Sequence, residues 1–235
     1  MRKRTLLAIF VILLLIGAYG AYVVSYPKYP EVKGCVNPFA VTKPVSKVQE
    51  NWSEVHVFFK LVTTRDFWKL AKPWQVDYSH VKVVKHTIEY NGEKITMLAM
   101  GIPLKDKKHV IALYEFSKPV QGVKIRSYLF EVHGDNIKDA SIKTTAMTTN
   151  GVYTPLNGCP HECNSDSDCP VTYHCNKYCC NVDWTKALHC CWTCAFACVE
   201  PIVCIPCIAT VCPWCVEDNC LQWGGECEGG WVPGP

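Results

Sequence analysis

The sequence predicts an α+β protein in three parts: an N-terminal transmembrane or signal helix, an antiparallel β-meander domain with one or two helices, and a small disulfide-rich module with a helical hairpin. Three observations lead to this prediction. Residues 5–24 form an uncharged apolar run, residues 77–148 alternate between apolar and polar side chains in short runs, and sixteen of the 17 cysteines lie between Cys159 and Cys227.

Changes in composition along the chain set the predicted boundaries. They are residues 1–25 for a signal-anchor or signal peptide, 26–45 for a linker, 46–153 for the α+β domain, 154–158 for a second linker, 159–182 for a knottin-like cysteine cluster, 183–220 for an apolar cysteine-rich helical hairpin and 221–235 for a Gly/Pro-rich tail.

The N-terminal segment is predicted to bring the chain to a membrane. Basic residues 2–4 precede the apolar run 5–24, and twenty helical residues rise about 30 Å, enough to span the hydrocarbon core of a bilayer. The basic residues favour the cytoplasmic side, which places the rest of the chain outside. A cleaved signal peptide and an uncleaved signal-anchor both fit, and the bulky Tyr19 within residues 18–21 favours the anchor because it spoils the small-residue cleavage site. We predict a single-pass cell-membrane protein with its C-terminal part outside, or a protein secreted after cleavage.

Two further features fit a location outside the cytoplasm. Asn51-Trp52-Ser53 matches the sequon for N-glycosylation, so Asn51 is the predicted attachment site. Cys35 stands apart from the other cysteines, and an odd cysteine in an exported protein is expected to stay unpaired or to bond with another chain.

The middle domain shows first a helical and then a strand-like period. Residues 47–72 carry apolar residues near helical spacing, with a second short helix predicted after Thr63 and before Pro73. From Asp77 the period falls to two, and Asn91-Gly92 gives a strong hairpin signal. Further strands are predicted at Lys94–Leu104, His109–Phe116, Val123–Val132 and Ala140–Thr148. We therefore expect a meander of about five strands.

The middle domain carries no recognisable catalytic motif. Its histidines form no metal-binding pair, and the sequence has no nucleophile elbow, phosphate-binding loop or dinucleotide-binding fingerprint. We therefore expect no catalytic residue, no metal and no cofactor, and we do not expect the chain to be an enzyme.

The first cysteine cluster has the spacing C-x3-C-x5-C-x5-C-x3-C-C between Cys159 and Cys180. It has few apolar residues for a core, so covalent crosslinks must supply its stability. Residues 163–175 resemble parts of knottin and whey-acidic-protein modules, which are secreted and disulfide-rich.

The second cluster predicts two antiparallel helical segments joined by disulfides. Asp183 is a predicted N-cap for a first helix, on which Cys190, Cys194 and Cys198 share one stripe. A second element is predicted from Pro201.

The sixteen cysteines of both clusters are predicted to form disulfides, although sequence does not give their connectivity. They are Cys159, Cys163, Cys169, Cys175, Cys179, Cys180, Cys190, Cys191, Cys194, Cys198, Cys204, Cys207, Cys212, Cys215, Cys220 and Cys227.

Three other interpretations of this cysteine-rich segment remain open. C-x-x-C pairs also bind zinc, but zinc needs reduced thiols, and this part of the chain is predicted to lie outside the cell. Cys212-Pro-Trp-Cys215 resembles the dithiol site of thioredoxin-like oxidoreductases, although no strand–helix framework surrounds it. A membrane span over residues 187–216 is disfavoured by its three prolines.

Charge divides the chain at the same boundary as cysteine content. Residues 1–158 carry 22 Lys or Arg and 12 Asp or Glu, a net +10, whereas residues 159–235 carry 2 and 9, a net −7. The lysines alternate with apolar residues along predicted strands, which indicates a solvated sheet face and no nucleic-acid partner. The opposite charges favour docking of the acidic C-terminal module on the basic N-terminal domain.

The order of an export segment, a cysteine-free β-rich domain and an apolar cysteine-packed peptide over Cys190–Cys220 resembles the precursors of microhalocins, cysteine-rich peptide antimicrobials of archaea. The resemblance implies that a C-terminal peptide, roughly Cys190–Pro235 or Cys159–Pro235, is released and kills related cells. It also implies that roughly Tyr26–Asn157 acts as an immunity protein that sequesters the peptide.

Three hypotheses about function follow from the sequence. The first is an exported or membrane-anchored precursor of a bacteriocin-like antimicrobial peptide with an N-terminal immunity part. The second is a cell-surface interaction protein with a disulfide-rich binding module. The third is an extracytoplasmic thiol–disulfide oxidoreductase that uses Cys212 and Cys215.

Overall fold

The computed structural model describes residues 37–229 except residues 135, 138, 139, 157, 160, 161, 172 and 199. The predicted N-terminal helix and Cys35 lie outside the described residues. Seven strands form one antiparallel sheet in chain order. They are β1 (Lys43–Gln49), β2 (Lys82–Tyr90), β3 (Glu93–Pro103), β4 (His109–Val120), β5 (Val123–His133), β6 (Ser141–Thr149) and β7 (Val152–Pro155).

Strands β2 to β6 confirm the meander that the two-residue period predicts. The hairpin between β2 and β3 turns at Asn91 and Gly92, whose φ angles are 50° and 78°, as the primed two-residue turns require. A second such turn, Gln121-Gly122 with φ of 47° and 85°, joins β4 to β5. Pro119, which the sequence reading places between strands, lies inside β4.

The two edge strands are not predicted from the sequence. Strand β1 occupies residues that were assigned to the linker 26–45 and to the helix beginning at residue 47, and all seven of its side chains are exposed, so no apolar alternation marks it. The helix begins instead at Glu54, because the Ser53 hydroxyl caps it by accepting from the N–H of His56 at 3.3 Å. Strand β7 carries the domain beyond residue 153, to Pro155.

Two helices, α1 (Glu54–Val62) and α2 (Arg65–Leu70), cover one face of the sheet. Val57 and Leu61 from α1 and Phe67 from α2 are buried there against residues of β3, β4 and β5. This layer confirms the one or two helices predicted for the domain.

The cysteine-rich region covers the opposite face. Its elements are β8 (Tyr173–Val182), α3 (Trp184–Cys190), a 3-10 helix (Trp192–Ala197), α4 (Pro201–Val211), α5 (Pro213–Asp218) and β9 (Cys220–Gly229). Strands β8 and β9 pair as an antiparallel ribbon. We call residues 37–156 the sheet domain, Cys159–Gly229 the cysteine module and Trp184–Asp218 within it the disulfide hairpin.

Four nested disulfides connect the two sides of the disulfide hairpin. The single helical stripe predicted for Cys190, Cys194 and Cys198 is wrong, because α3 ends at Cys190 and a 3-10 helix follows it. The first side starts as expected, since Asp183 caps α3 by accepting from the N–H of Lys186 at 3.0 Å. The bonds are Cys190–Cys215, Cys191–Cys212, Cys194–Cys207 and Cys198–Cys204. Each bond lies inside the previous one along the chain, which is the order expected for two antiparallel segments.

Of the other four disulfides, two lie within the predicted knottin-like cluster and two leave it. They are Cys159–Cys180, Cys163–Cys175, Cys169–Cys227 and Cys179–Cys220. The last two tie the predicted knottin-like cluster 159–182 to the C-terminal strand, so the stretch predicted as a tail from residue 221 is β9 as far as Gly229. Its glycines permit close packing: a Cβ on Gly224 would lie 2.7 Å from the Cys180 sulfur.

Among the described residues, no helix is both long and apolar enough to cross a bilayer. The 11 residues of α4 rise about 16 Å, roughly half of the hydrocarbon thickness. The predicted membrane segment at residues 1–25 lies outside the described part of the chain.

Candidate functional site: the contact between the sheet and the disulfide hairpin

Helix α4 lies across strands β2, β3 and β4 with its apolar surface buried. Cys204, Ile205, Ile208 and Ala209 are fully buried there. The helix has no charged residue in its sequence PIVCIPCIATV. A helix that is apolar all round must be covered on more than one side, and here the sheet supplies one cover while the remainder of the hairpin supplies another.

The sheet is shaped for this helix at Gly101 in β3. A Cβ on Gly101 would lie 2.7 Å from both Cα and Cβ of Pro206 and 2.8 Å from its carbonyl oxygen. Real side chains do not approach backbone so closely, so the absence of a side chain at this position is what allows α4 to reach the sheet.

The sheet domain also satisfies the C-terminal carbonyls of α4, which have no partner within the helix. The Tyr114 hydroxyl donates to the carbonyl of Ala209 at 2.9 Å, and Nε2 of His86 contacts the carbonyl of Thr210 at 2.7 Å. The Lys47 ammonium donates to the carbonyl of Val211 at 3.1 Å. Side chains from three strands of the sheet domain thus cap three consecutive carbonyls of α4 in the cysteine module.

The charge states of these groups suit a helix C-terminus. Because a carbonyl can only accept, the His86 Nε2 carries the proton. Burial lowers the pKa of His86, with the nearby Lys47 charge acting in the same direction and the Thr210 carbonyl opposing it. Neutral His86 therefore donates from a buried position, while the cation of Lys47 lies at the negative end of the helix dipole.

Removing one of these donors should loosen the hairpin. Tyr114→Phe deletes the hydroxyl and leaves the buried Ala209 carbonyl without its partner, at an expected cost of about 1 kcal/mol. The measurement is amide hydrogen exchange in α4, compared with Tyr78→Phe as a control, since the Tyr78 hydroxyl donates to Pro73 on the other face. Equal effects of the two substitutions on α4 would contradict the proposed capping.

A second contact joins residues 37–42 to helix α5. The indole N–H of Trp214 donates to the carbonyl of Thr42 at 3.2 Å. The ring of Phe39 lies 5.9 Å from that of Trp214 and 4.9 Å from that of Tyr114, both edge-on. The Asn37 side chain donates to the Glu217 carboxyl.

The Glu217 carboxyl should give the packed structure a measurable pH dependence. Burial raises the pKa of Glu217 from 4.5 to about 7, opposed by the Asn37 hydrogen bond and by the Arg126 charge. The folded state therefore keeps a proton that the unfolded chain has released, so stability falls as pH rises from 4.5 to about 7 and changes no further from this cause above that range.

Glu217→Gln should remove this dependence. Denaturant unfolding of the original protein and the variant across this pH range gives a difference curve in which other titrating groups largely cancel. We expect the free energy of unfolding of the variant to increase relative to that of the original protein as pH rises through this range. A difference that does not change with pH would contradict the raised pKa of Glu217.

The cysteines of the predicted redox motif belong to two different disulfides. Cys212 is bonded to Cys191, and Cys215 is bonded to Cys190. The single reversible bond of a C-x-x-C site is therefore not present between Cys212 and Cys215.

The remaining predicted sites are placed as follows. The sulfurs of Cys163, Cys169 and Cys227 lie within 4.8 Å of one another, but all three are in disulfides and thus are not the thiolates that metals bind. Asn51 is exposed in the segment between β1 and α1.

The residues of the contact were not predicted from the sequence. His86 is almost fully buried. Its position two residues from Val84 and Ile88, both buried, is the one signal that places it on an inward face. Tyr114 shows the same signal, since Ala112 and Phe116 are buried. The surface that Gly101 and Tyr114 meet comes from a distant part of the chain and leaves no local pattern.

Comparisons of the chain with protein-family models, with curated proteins and with solved structures gave no match.

Proposed function

We propose that the protein is an exported two-part precursor whose sheet domain sequesters an apolar, disulfide-linked peptide. Eight disulfides indicate an oxidising compartment outside the cytoplasm. The finer proposal is that the peptide acts against other cells once released, as the resemblance to microhalocin precursors implies, and that the sheet domain confers immunity by rebinding it.

The observation that carries this proposal is the capping of α4 by the sheet domain. Tyr114, His86 and Lys47 meet three consecutive carbonyls, and Gly101 leaves room for Pro206. None of the eight disulfides joins the cysteine module to the sheet domain, so the contact is non-covalent in the described residues. Beside β6 the module is held by a hydrogen bond from the Thr144 hydroxyl to the Cys179 carbonyl at 3.1 Å and by packing of Met147 against Tyr178, next to a groove of about 580 Å³. The contact is thus specific and free of disulfides, which suits a partner that is bound and later separated.

The test is the activity of the oxidised C-terminal fragment. We expect fragment 159–235 to release dye from lipid vesicles or to inhibit growth of related cells, and the intact chain to do neither. One equivalent of sheet domain should suppress the activity, whereas sheet domain carrying Gly101→Val should not. An inert fragment, or an intact chain as active as the fragment, would contradict the proposal.

A specific observation favours the cell-surface interaction protein as a second candidate. Trp192 and Phe196 are 68% and 88% exposed on the 3-10 helix of the disulfide hairpin, and exposed aromatic residues on a rigid support are frequent binding anchors. Mass spectrometry of the protein from its native source separates the candidates. A released, fully oxidised C-terminal fragment supports the precursor, and an intact oxidised chain supports the surface protein.

A further inference from the structure

Helix α1 is apolar on its outer side as well as on its inner side. Val57 and Leu61 face the sheet and are buried. Val55 precedes Phe58 and Phe59 by three and four residues on the outer side, and the three are 63%, 41% and 59% exposed. A surface helix of a soluble domain normally turns polar residues to this side.

The exposed surface continues onto two short 3-10 helices that follow α2, Pro73–Gln75 and Tyr78–His80. The ring of Phe58 lies 6.1 Å from that of Tyr78, whose hydroxyl donates to the Pro73 carbonyl at 2.9 Å. The neighbouring residue, Trp74, is 68% exposed. We call Val55, Phe58, Phe59 and Trp74 the aromatic patch.

Lysines border the aromatic patch. The Lys105 ammonium donates to the carbonyl of Trp74 at 3.0 Å. Lys72 donates to the carbonyl of Trp68 at 3.2 Å and lies 5.4 Å from the centre of its ring. Both lysines are exposed.

The composition of the aromatic patch and its border favours a lipid surface over a protein as the partner. Tryptophan and phenylalanine with flanking lysines are typical of segments that lie in the interface of an anionic bilayer. Lysine is instead depleted in protein–protein interfaces, which argues against a second copy of this chain as the partner.

The segment between the apolar run and the sheet domain is short enough to keep the aromatic patch near a bilayer. Twelve residues, 25–36, separate the apolar run 5–24 from Asn37, and twelve extended residues span at most about 43 Å. If the run enters a bilayer, the sheet domain stays close to that bilayer.

We propose that the aromatic patch of the sheet domain rests on the surface of an anionic bilayer. The patch and the disulfide hairpin lie on opposite faces of the sheet, so the hairpin is directed away from this bilayer. The proposal rests on export of the chain but does not require release of a peptide, so its failure would leave the precursor function standing.

The test uses the full oxidised chain with vesicles of phosphatidylglycerol and phosphatidylcholine whose acyl chains carry a photoactivatable diazirine. Mass spectrometry locates the labelled peptides. We expect labelling of residues 54–62 and 72–78, reduced at least fivefold by Phe58→Ser combined with Phe59→Ser and Trp74→Ser. Lys72→Glu with Lys105→Glu should reduce it in the same way, as should vesicles of phosphatidylcholine alone.

A matched control replaces exposed aromatics on the other face. Trp192→Ser with Phe196→Ser should leave labelling of residues 54–62 unchanged. Labelling of residues 192–196 in place of the aromatic patch would overturn the proposal. So would unlabelled residues 54–62, including the case in which the chain forms a dimer through this face.

Discussion

Gly101→Val is expected to lift helix α4 off the sheet. Its Cβ would lie 2.7 Å from the Cα of Pro206, and valine adds two further carbons in the same space. Strand β3 is paired on both sides, and α4 is fixed by Cys194–Cys207 and Cys198–Cys204. Neither backbone yields locally, so we expect a cost at the upper end of the roughly 1–3 kcal/mol typical of overpacking.

Hydrogen exchange measures this effect directly. A loss of about 3 kcal/mol corresponds to roughly hundredfold faster exchange of the α4 amides, with β4 and β5 far less affected. Gly92→Asn is the control, because a Cβ there meets nothing within 4 Å and asparagine tolerates its φ of 78°. Unchanged exchange in Gly101→Val would show that α4 does not depend on this close approach.

Removal of the Cys194–Cys207 disulfide is expected to have a comparable effect on the cysteine module. Both cysteines are buried, and the bond closes a loop with a sequence separation of 13. A lone crosslink over a loop of this length stabilises by about 3 kcal/mol, chiefly by constraining the unfolded chain. Because Cys191–Cys212 and Cys198–Cys204 already constrain the same loop, this value is an upper limit here. Cys194→Ala with Cys207→Ala should lower the free energy of unfolding by up to that amount in denaturant titrations without reductant.

The innermost disulfide gives the matched comparison. Cys198–Cys204 has a sequence separation of 6, for which the same entropy argument gives about 2 kcal/mol. Cys198→Ala with Cys204→Ala should therefore destabilise the module less. An equal or larger loss for this pair would contradict the view that the nested bonds act by loop closure.

The elements that sequence predicts well are those with a local physical cause. Strands β2 to β6 follow from the two-residue period and from Asn91-Gly92, and α3 follows from Asp183 as its cap. Strand β1 has no buried side chain, so it shows no period. The glycines of β9 look like those of a tail, although Gly224 packs closely against Cys180 and Gly225 against Cys163.

The candidate site was beyond sequence reasoning because it joins distant segments. His86 and Thr210 are separated by 124 residues, and Tyr114 and Ala209 by 95. Cysteine spacing predicted two antiparallel segments joined by disulfides, although not the break of the first helix after Cys190, and it held no information about the sheet surface beneath α4.

The sheet domain and the cysteine module are joined by the polypeptide chain and by no disulfide in the described residues, so their contact should persist when the chain is cut. The most direct test of this central claim inserts a protease site beside the exposed Gly158 and cuts the folded, oxidised protein there. We predict that the two fragments elute together from a size-exclusion column in native buffer, separate in denaturant, and separate in native buffer when Gly101→Val is present. Fragments of the unsubstituted protein that part in native buffer as soon as the chain is cut would contradict the account.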